Sequence, residues 1–374
     1  MKFVTILQNG LKNKYMRMAL LTVFLLLVGA IVFFTVRNFT SAEKHSSEEQ
    51  SYKAVAYVTP WNWSGIPDAD KLTHIIYCFA QIDTETHLMK VPKDQYLKQL
   101  VELKEKNPEL KVMLSLGGGG GDGFSQAAET EESRKIFADE CKRLIEEYGL
   151  DGIDIDWESP VNGNWGKIRA IPEDKENCTA LIKEIRQAIG NDKLISFATG
   201  STKSYATWVE LDKLNEDIDF FNLMAYCYSV GAPGTHDANL YRSPYAAAGG
   251  ISVDFGVNML KSAGISPEKI VVGIPFFGYD GKKAINQAGI KQRIESGEYT
   301  ELWDDEAKAP YLVKNGTEKI SVTYDNASSV QFKADYVKSN GLGGLMCWEY
   351  GQDDESRTMA NALWDSLMGT QEQE

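Results

Sequence analysis

Histidine is scarce in this chain: His45, His74, His87 and His236 are its four, in 374 residues. No two stand at ligand spacing, which argues against a histidine-rich zinc site. Neither a GxxxxGK[ST] nor a GxGxxG loop occurs, so the usual phosphate cradles are missing. Positive charge is short as well. The net charge of −14 argues against a nucleic-acid partner, which calls for a basic stripe. The five cysteines are odd in number and widely spaced, which excludes a small disulfide scaffold. Cys78, Cys227 and Cys347 lie in apolar runs and are expected to be buried free thiols. No repeat of 20–50 residues and no low-complexity tract is present.

What is present is globular composition, 43% hydrophobic and 25% charged. At about 150 residues per domain the length fits two or three domains, and it equally fits one barrel of roughly 250 residues or more.

One long apolar run stands apart. Residues 18–36 carry no charge and are long enough to span a bilayer as a helix. Lys2, Lys12, Lys14 and Arg17 precede the run and Arg37 follows it. The positive-inside bias puts the N-terminus in the cytoplasm and the remainder outside. The alternative is a signal peptide cleaved near Thr40-Ser41-Ala42. Either way the body is expected at the extracellular face of the membrane, on a single-pass anchor, or secreted. Residues 1–36 thus read as cytoplasmic N-terminus and anchor or signal peptide, 37–51 as a polar linker, 52–368 as the main domain and 369–374 as a polar tail.

Within 52–368, short β-rich runs recur at 54–58, 73–79, 111–116, 152–157, 194–198, 220–226, 270–276 and 345–348. Amphipathic stretches at 96–106, 133–148 and 173–189 separate some of them. Ile136, Phe137, Leu144 and Ile145 share helical spacing in the second. Eight strand–helix units predict a closed parallel (β/α)8 TIM barrel, with a doubly wound open sheet as the alternative. Residues 279–323 read as a small insertion between strand seven and the last helix. It holds one helix-like piece and one hairpin turning at Asn315-Gly316. That leaves too little chain for a full α+β wall beside the open end of the barrel.

The chemistry lies in residues 151–158, Asp-Gly-Ile-Asp-Ile-Asp-Trp-Glu. Along a strand side chains alternate, so Asp154, Asp156 and Glu158 share one face and Ile153, Ile155 and Trp157 the other. Carboxyls turned into a barrel are costly unless they share protons or receive hydrogen bonds. Two in contact do not both ionise readily, which leaves a general acid beside a carboxylate. The acid spacing alone is a weak signal; the Gly and Trp within it make it specific. Asp151 breaks the alternation and reads as structural.

The motif resembles the DxxDxDxE signature of the family 18 glycoside hydrolases, the chitinases, and the likeness extends over residues 53–368. Residues 72–80 are similar to the family's second strand, and Ser115-Leu116-Gly117-Gly118 to its SxGG motif. Met224-Ala225-Tyr226 is similar to its sixth strand, residues 272–278 to the seventh and 341–349 to the eighth. The resemblance implies a retaining, substrate-assisted hydrolase of β-1,4-linked N-acetylglucosamine polymers such as chitin, without metal or cofactor. It implies Glu158 as the acid, Asp156 orienting the acetamide, Asp154 sharing a proton with Asp156, and Tyr226 donating to the acetamide oxygen. Tyr57 and Ser115 support the aspartates. Trp348 floors the reacting sugar, and Phe79, Gly118 and Met224 join it in binding substrate. Trp61, Trp63 and Trp165 are candidates for sugar subsites. Cys227 departs from the pattern, since the family usually carries Asp or Asn after Met-x-Tyr. The site motifs leave open an endo-β-N-acetylglucosaminidase acting on N-glycans or peptidoglycan, and a non-catalytic sugar-binding relative.

Overall fold

The computed structural model describes residues 52–369 apart from Gly231, and not the side chain of Trp165. The apolar run at 18–36, the linker at 37–51 and, beyond Gly369, the polar tail lie outside the described residues. Among the described residues no helix is long and apolar enough to cross a membrane.

The strands are β1 (Lys53–Val58), β2 (His74–Ile82), β3 (Met89–Lys90), β4 (Lys111–Gly117), β5 (Gly152–Asp156), β6 (Leu194–Gly200), β7 (Phe220–Met224), β8 (Ile270–Pro275), β9 (Phe277–Asp280), β10 (Lys283–Asn286), β11 (Tyr299–Asp304), β12 (Ala309–Lys314), β13 (Ile320–Thr323) and β14 (Gly344–Trp348). Eight of them, β1, β2, β4, β5, β6, β7, β8 and β14, pair in parallel in that order. Pairing of Ala54 with Leu345 and of Ala56 with Cys347 returns β14 to β1 and closes the barrel. The short β3 adds antiparallel to the end of β2.

The alternation expected of β5 places its two faces in different cores. Ile153, Ile155 and Trp157 pack with the helices in the layer outside the sheet. Val55, Tyr57, Ile76, Cys78, Met113, Phe220, Val271 and Met346 fill the barrel interior, where Asp154 and Asp156 point.

The surrounding helices follow their apolar stripes and caps. Helix Glu131–Tyr148 begins two residues before the periodic run because Thr130 caps it in a box with Ser133, and it ends at Gly149, φ +69°. Its buried face is Phe137, Ala138, Cys141, Leu144 and Ile145. Ile136 is exposed instead, one position off that stripe. Helix Asp174–Ile189 buries Cys178, Leu181, Ile182, Ile185 and Ile189. The stretch at 96–106 divides into a helix, Asp94–Glu102, and a 3-10 turn, Leu103–Glu105.

The insertion is more elaborate than one helix and one hairpin. It is a five-stranded antiparallel sheet in the order β10-β9-β13-β12-β11, with helix Gln287–Glu295 between β10 and β11. It begins at Phe277, one residue beyond β8, after Phe276 N makes a last bond to the Trp348 carbonyl at 2.8 Å. The expected hairpin forms between β12 and β13, with residues 315–319 as its loop and Gly316 at φ +84°. β10 and β11 are short and mostly exposed, so they present no apolar run for a sequence to reveal.

Candidate active site

Asp154 sits at the middle of β5, fully buried, paired in register with Ser115 of β4 and Ser196 of β6. That register puts a hydroxyl on either side of its carboxylate. Ser115 Oγ donates to Oδ2 at 2.7 Å and Ser196 Oγ to Oδ1 at 2.5 Å. Tyr57 Oη donates to Oδ2 at 3.1 Å, and Asn222 Nδ2 to Oδ1 at 3.3 Å and to Tyr57 Oη at 2.8 Å. Burial pushes the Asp154 carboxyl above its usual range, and these four donors pull against that shift.

Asp156, one step nearer the barrel mouth, has a different partner. Burial first, then the charges of Glu158 and Asp154, hold its carboxyl well above the ordinary range, and its hydrogen bond to Glu158 adds to the rise. Burial also raises Glu158, while the bond from Asp156 opposes that rise. The two carboxyls thus form one hydrogen-bonded pair, both held above the ordinary range. Four neutral donors surround Asp154, and the hydrogen bond of Asp156 runs to Glu158. Asp156 Oδ1 is buried with no hydrogen-bond partner among the described residues.

The strand end is fixed by close approach. Gly118 N donates to the Asp156 carbonyl at 2.9 Å. A Cβ on Gly118 would lie 2.5 Å from the Phe79 ring, and one on Gly117 2.5 Å from the Asp156 carbonyl oxygen. Both glycines have positive φ, so these positions admit no side chain.

Above the carboxyls opens a cavity of about 850 Å³, at the end of the barrel where the parallel strands finish. Tyr57, Phe79, Gly118, Asp156, Glu158, Met224, Tyr226 and Trp348 line it, while Ser115 and Asp154 lie beneath. Aromatic rings crowd the β14–β1–β2 side. Phe79 stacks on Trp348 with centroids 5.6 Å apart, Tyr57 meets Trp348 edge-on at 5.6 Å, and Trp61 lies 6.1 Å from Phe79. Of the other tryptophans considered, Trp63 is stacked on Tyr96 at 4.1 Å instead of facing the cavity. Asp151 is structural as expected, accepting from Lys104 Nζ at 2.8 Å and from Val112 N at 2.8 Å.

Across the ring, beyond β7, a long connection forms a wall the sequence did not announce. Cys227, Tyr228, Ala232, Ala247, Ala248 and Ile251 all line the cavity. Cys227 is exposed there, not buried as its apolar neighbours implied; the other four cysteines are buried, and all five are free thiols. Its backbone is left-handed, φ +64°, because the chain turns sharply where β7 ends. Its thiol lies 3.7 Å from Tyr279 Oη; although the residue reaches the surface, the protein crowded around the cavity edge costs a thiolate its hydration, and with the charge of Asp237 this pushes the thiol up to about 12. It is a neutral group at the cavity edge. None of the lining residues comes from the insertion, among the described residues.

Ser196 and Asn222 also escaped the sequence reading. The available signal was a polar residue on the inward register of an otherwise apolar strand, Leu-Ile-Ser-Phe-Ala and Phe-Phe-Asn-Leu-Met.

Residues 53–353 match the family model described as Glycosyl hydrolases family 18. The chain is 30% identical to Chitinase A1 of Niallia circulans, over 94% of this chain and 63% of that protein. Two solved structures resemble it. The chitinase ChiW of a Paenibacillus species is 34% identical with a TM-score of 0.76, over 86% of this chain and 43% of that one. A family 18 N-acetylglucosaminidase from Paenibacillus barengoltzii is 32% identical with a TM-score of 0.75, over 85% of this chain and 100% of that one. The chain thus spans less than two thirds of Chitinase A1 and of ChiW.

Proposed function

The chain belongs to family 18 of the glycosyl hydrolases and is a chitinase-like glycosidase, and we propose that it cleaves β-1,4-linked N-acetylglucosamine polymers with retention, by substrate assistance. The observation that carries this reading is the hydrogen bond between Asp156 and Glu158. A retaining enzyme with its own nucleophile needs two carboxyls about 5–5.5 Å apart, flanking the bond. Asp156 and Glu158 are the acids that line this cavity among the described residues, and they are in contact. Such a pair serves one side of the sugar.

In this mechanism the proton between them passes to Glu158 and on to the glycosidic oxygen. The substrate's acetamide oxygen attacks the anomeric carbon as the leaving sugar departs. The oxazolinium ion that results is met by the Asp156 carboxylate, on the acetamide N–H, and by the Tyr226 hydroxyl, on the acetamide oxygen. Water then opens the ring, returning its proton to Glu158. Asp154 stays below, its charge borne by four donors. Trp348 stacks beneath the reacting ring.

Endo cleavage fits a cavity the insertion does not line: long chains lie across it and leave with mixed lengths. A second reading, release of single N-acetylglucosamine units, draws support from the likeness to the Paenibacillus barengoltzii enzyme. Acetylated and fully deacetylated chitin oligomers, chitin, peptidoglycan and a glycoprotein test both readings in one panel. We expect acetylated oligomers to be cut to mixed products of retained anomeric configuration. Equal rates on deacetylated oligomers would overturn substrate assistance, and monomer from the first minutes would favour the second reading. The run at 18–36 supports a barrel displayed outside the cell or secreted, and protease added to intact cells should release active fragment if the anchor is retained.

A further inference from the structure

Asp237 grips three consecutive residues directly after Tyr226. Its Oδ2 accepts from Cys227 N at 3.2 Å. Its Oδ1 accepts from Ser229 N at 3.1 Å and Ser229 Oγ at 2.7 Å. Its own carbonyl accepts from Tyr228 N at 3.1 Å. The side chain is buried, and nothing in the cavity lining includes it. From the other side, Asp237 N donates to Thr323 Oγ1 at 2.9 Å, at the end of β13 in the insertion sheet. Thr323 pairs in register with Tyr279, whose hydroxyl meets the Cys227 thiol. One residue further back, His236 is fully buried, with Nε2 2.9 Å from Asp304 Oδ2 of β11.

The left-handed Cys227 is where β7 must break to send Tyr226 into the cavity. An amide there, part-buried and turned away from any ladder, needs an acceptor. Asp237 supplies it and is itself tied to the insertion. We propose that Asp237 is a positioning residue for Tyr226, and that the insertion acts on catalysis through Thr323 and Asp237 without touching the sugar. This rests on the reading of Tyr226 as the donor to the acetamide. The insertion sets the height of one hydroxyl, and an error of about 1 Å in such a group costs on the order of a hundredfold in rate.

The test is a double-mutant cycle in the full chain with tetra-N-acetyl chitotetraose, reading kcat, KM and the thermal midpoint. In Asp237→Asn one acceptor becomes a donor, so whichever way the amide turns it sets Nδ2 against the N–H of Cys227 or of Ser229. We expect kcat to fall about tenfold or more with KM held within about threefold. In the Tyr226→Phe background the same change should cost less than about threefold, because the group it positions is gone. Thr323→Val should lower kcat in the same direction by less, and decides the matter if Asp237→Asn does not fold. If Tyr226→Phe lowers kcat and Asp237→Asn multiplies that loss in full, the positioning role is overturned while the acetamide reading stands. If Tyr226→Phe keeps wild-type kcat, both are overturned. Wild-type kcat in Thr323→Val removes the link to the insertion.

Discussion

Asp156 is hydrogen-bonded to Glu158, two residues along the same chain, and both carboxyls are held above their ordinary range. The acid of the reaction is thus a pair. Neither member can be assigned its ionisation alone, and each substitution tests both.

Glu158→Gln retains the shape of the cavity and removes the transferable proton. Turnover on chitin oligomers should fall by about 10²–10⁴-fold, the usual worth of a general acid. Oligomer affinity measured by calorimetry should stay within a few-fold of wild type. Turnover within tenfold of wild type would remove Glu158 from the acid role.

Asp156→Asn should lower turnover strongly and raise stability. The folded-state carboxyl lies well above its unfolded value, so its contribution is full below the unfolded pKa and is lost as pH rises toward the folded one. The variant should therefore melt at a higher temperature than the wild type at pH 7. At pH 4 the gain should shrink. An equal gain at both pH values would contradict the assignment.

Cys227→Asp introduces a carboxylate where a neutral thiol now stands close enough to Glu158 for their charges to interact. Like charge disfavours ionisation of the pair, so the proton is held to higher pH. The alkaline limb of kcat/KM should move up relative to wild type. A limb that stays in place, or moves down, would show that position 227 does not sense the acid.

Gly118→Ala drives a methyl to 2.5 Å from the Phe79 ring at φ +83°. The ring must leave its stack on Trp348, and overpacking of this kind costs about 1–3 kcal/mol. KM for oligomers should rise several-fold and the melting point should fall. An unchanged KM would separate Phe79 from sugar binding.

The barrel and its chemistry were legible for different reasons. The eight parallel strands show as apolar runs because both of their faces are buried. The acids of β5 stand out because carboxyls inside such a run have no cheap explanation. Ser196 and Asn222 were passed over because one polar residue in a strand announces no partner until the neighbouring register is known. The insertion sheet was underestimated because β10 and β11 face solvent and carry no apolar run. The wall after β7 was missed because its form depends on Asp237, His236 and their distant partners Thr323 and Asp304, whose pairing spans most of a hundred positions. Cys227 was misplaced by its apolar neighbours, since a sharp turn at φ +64° takes one residue out of an otherwise buried series.

The two faces of β5 have a bearing on how faithfully the chain folds. Ile153, Ile155 and Trp157 belong to the layer outside the sheet, and Asp154, Asp156 and Glu158 to the inside. A slip of one residue exchanges the two sets. It would push three carboxyls among aliphatic helix faces and leave a tryptophan in the barrel throat, a state far too costly to persist. Errors at this strand are therefore self-rejecting: a molecule that closes its barrel has already aligned its acids, and quality control over the fold serves as quality control over the chemistry.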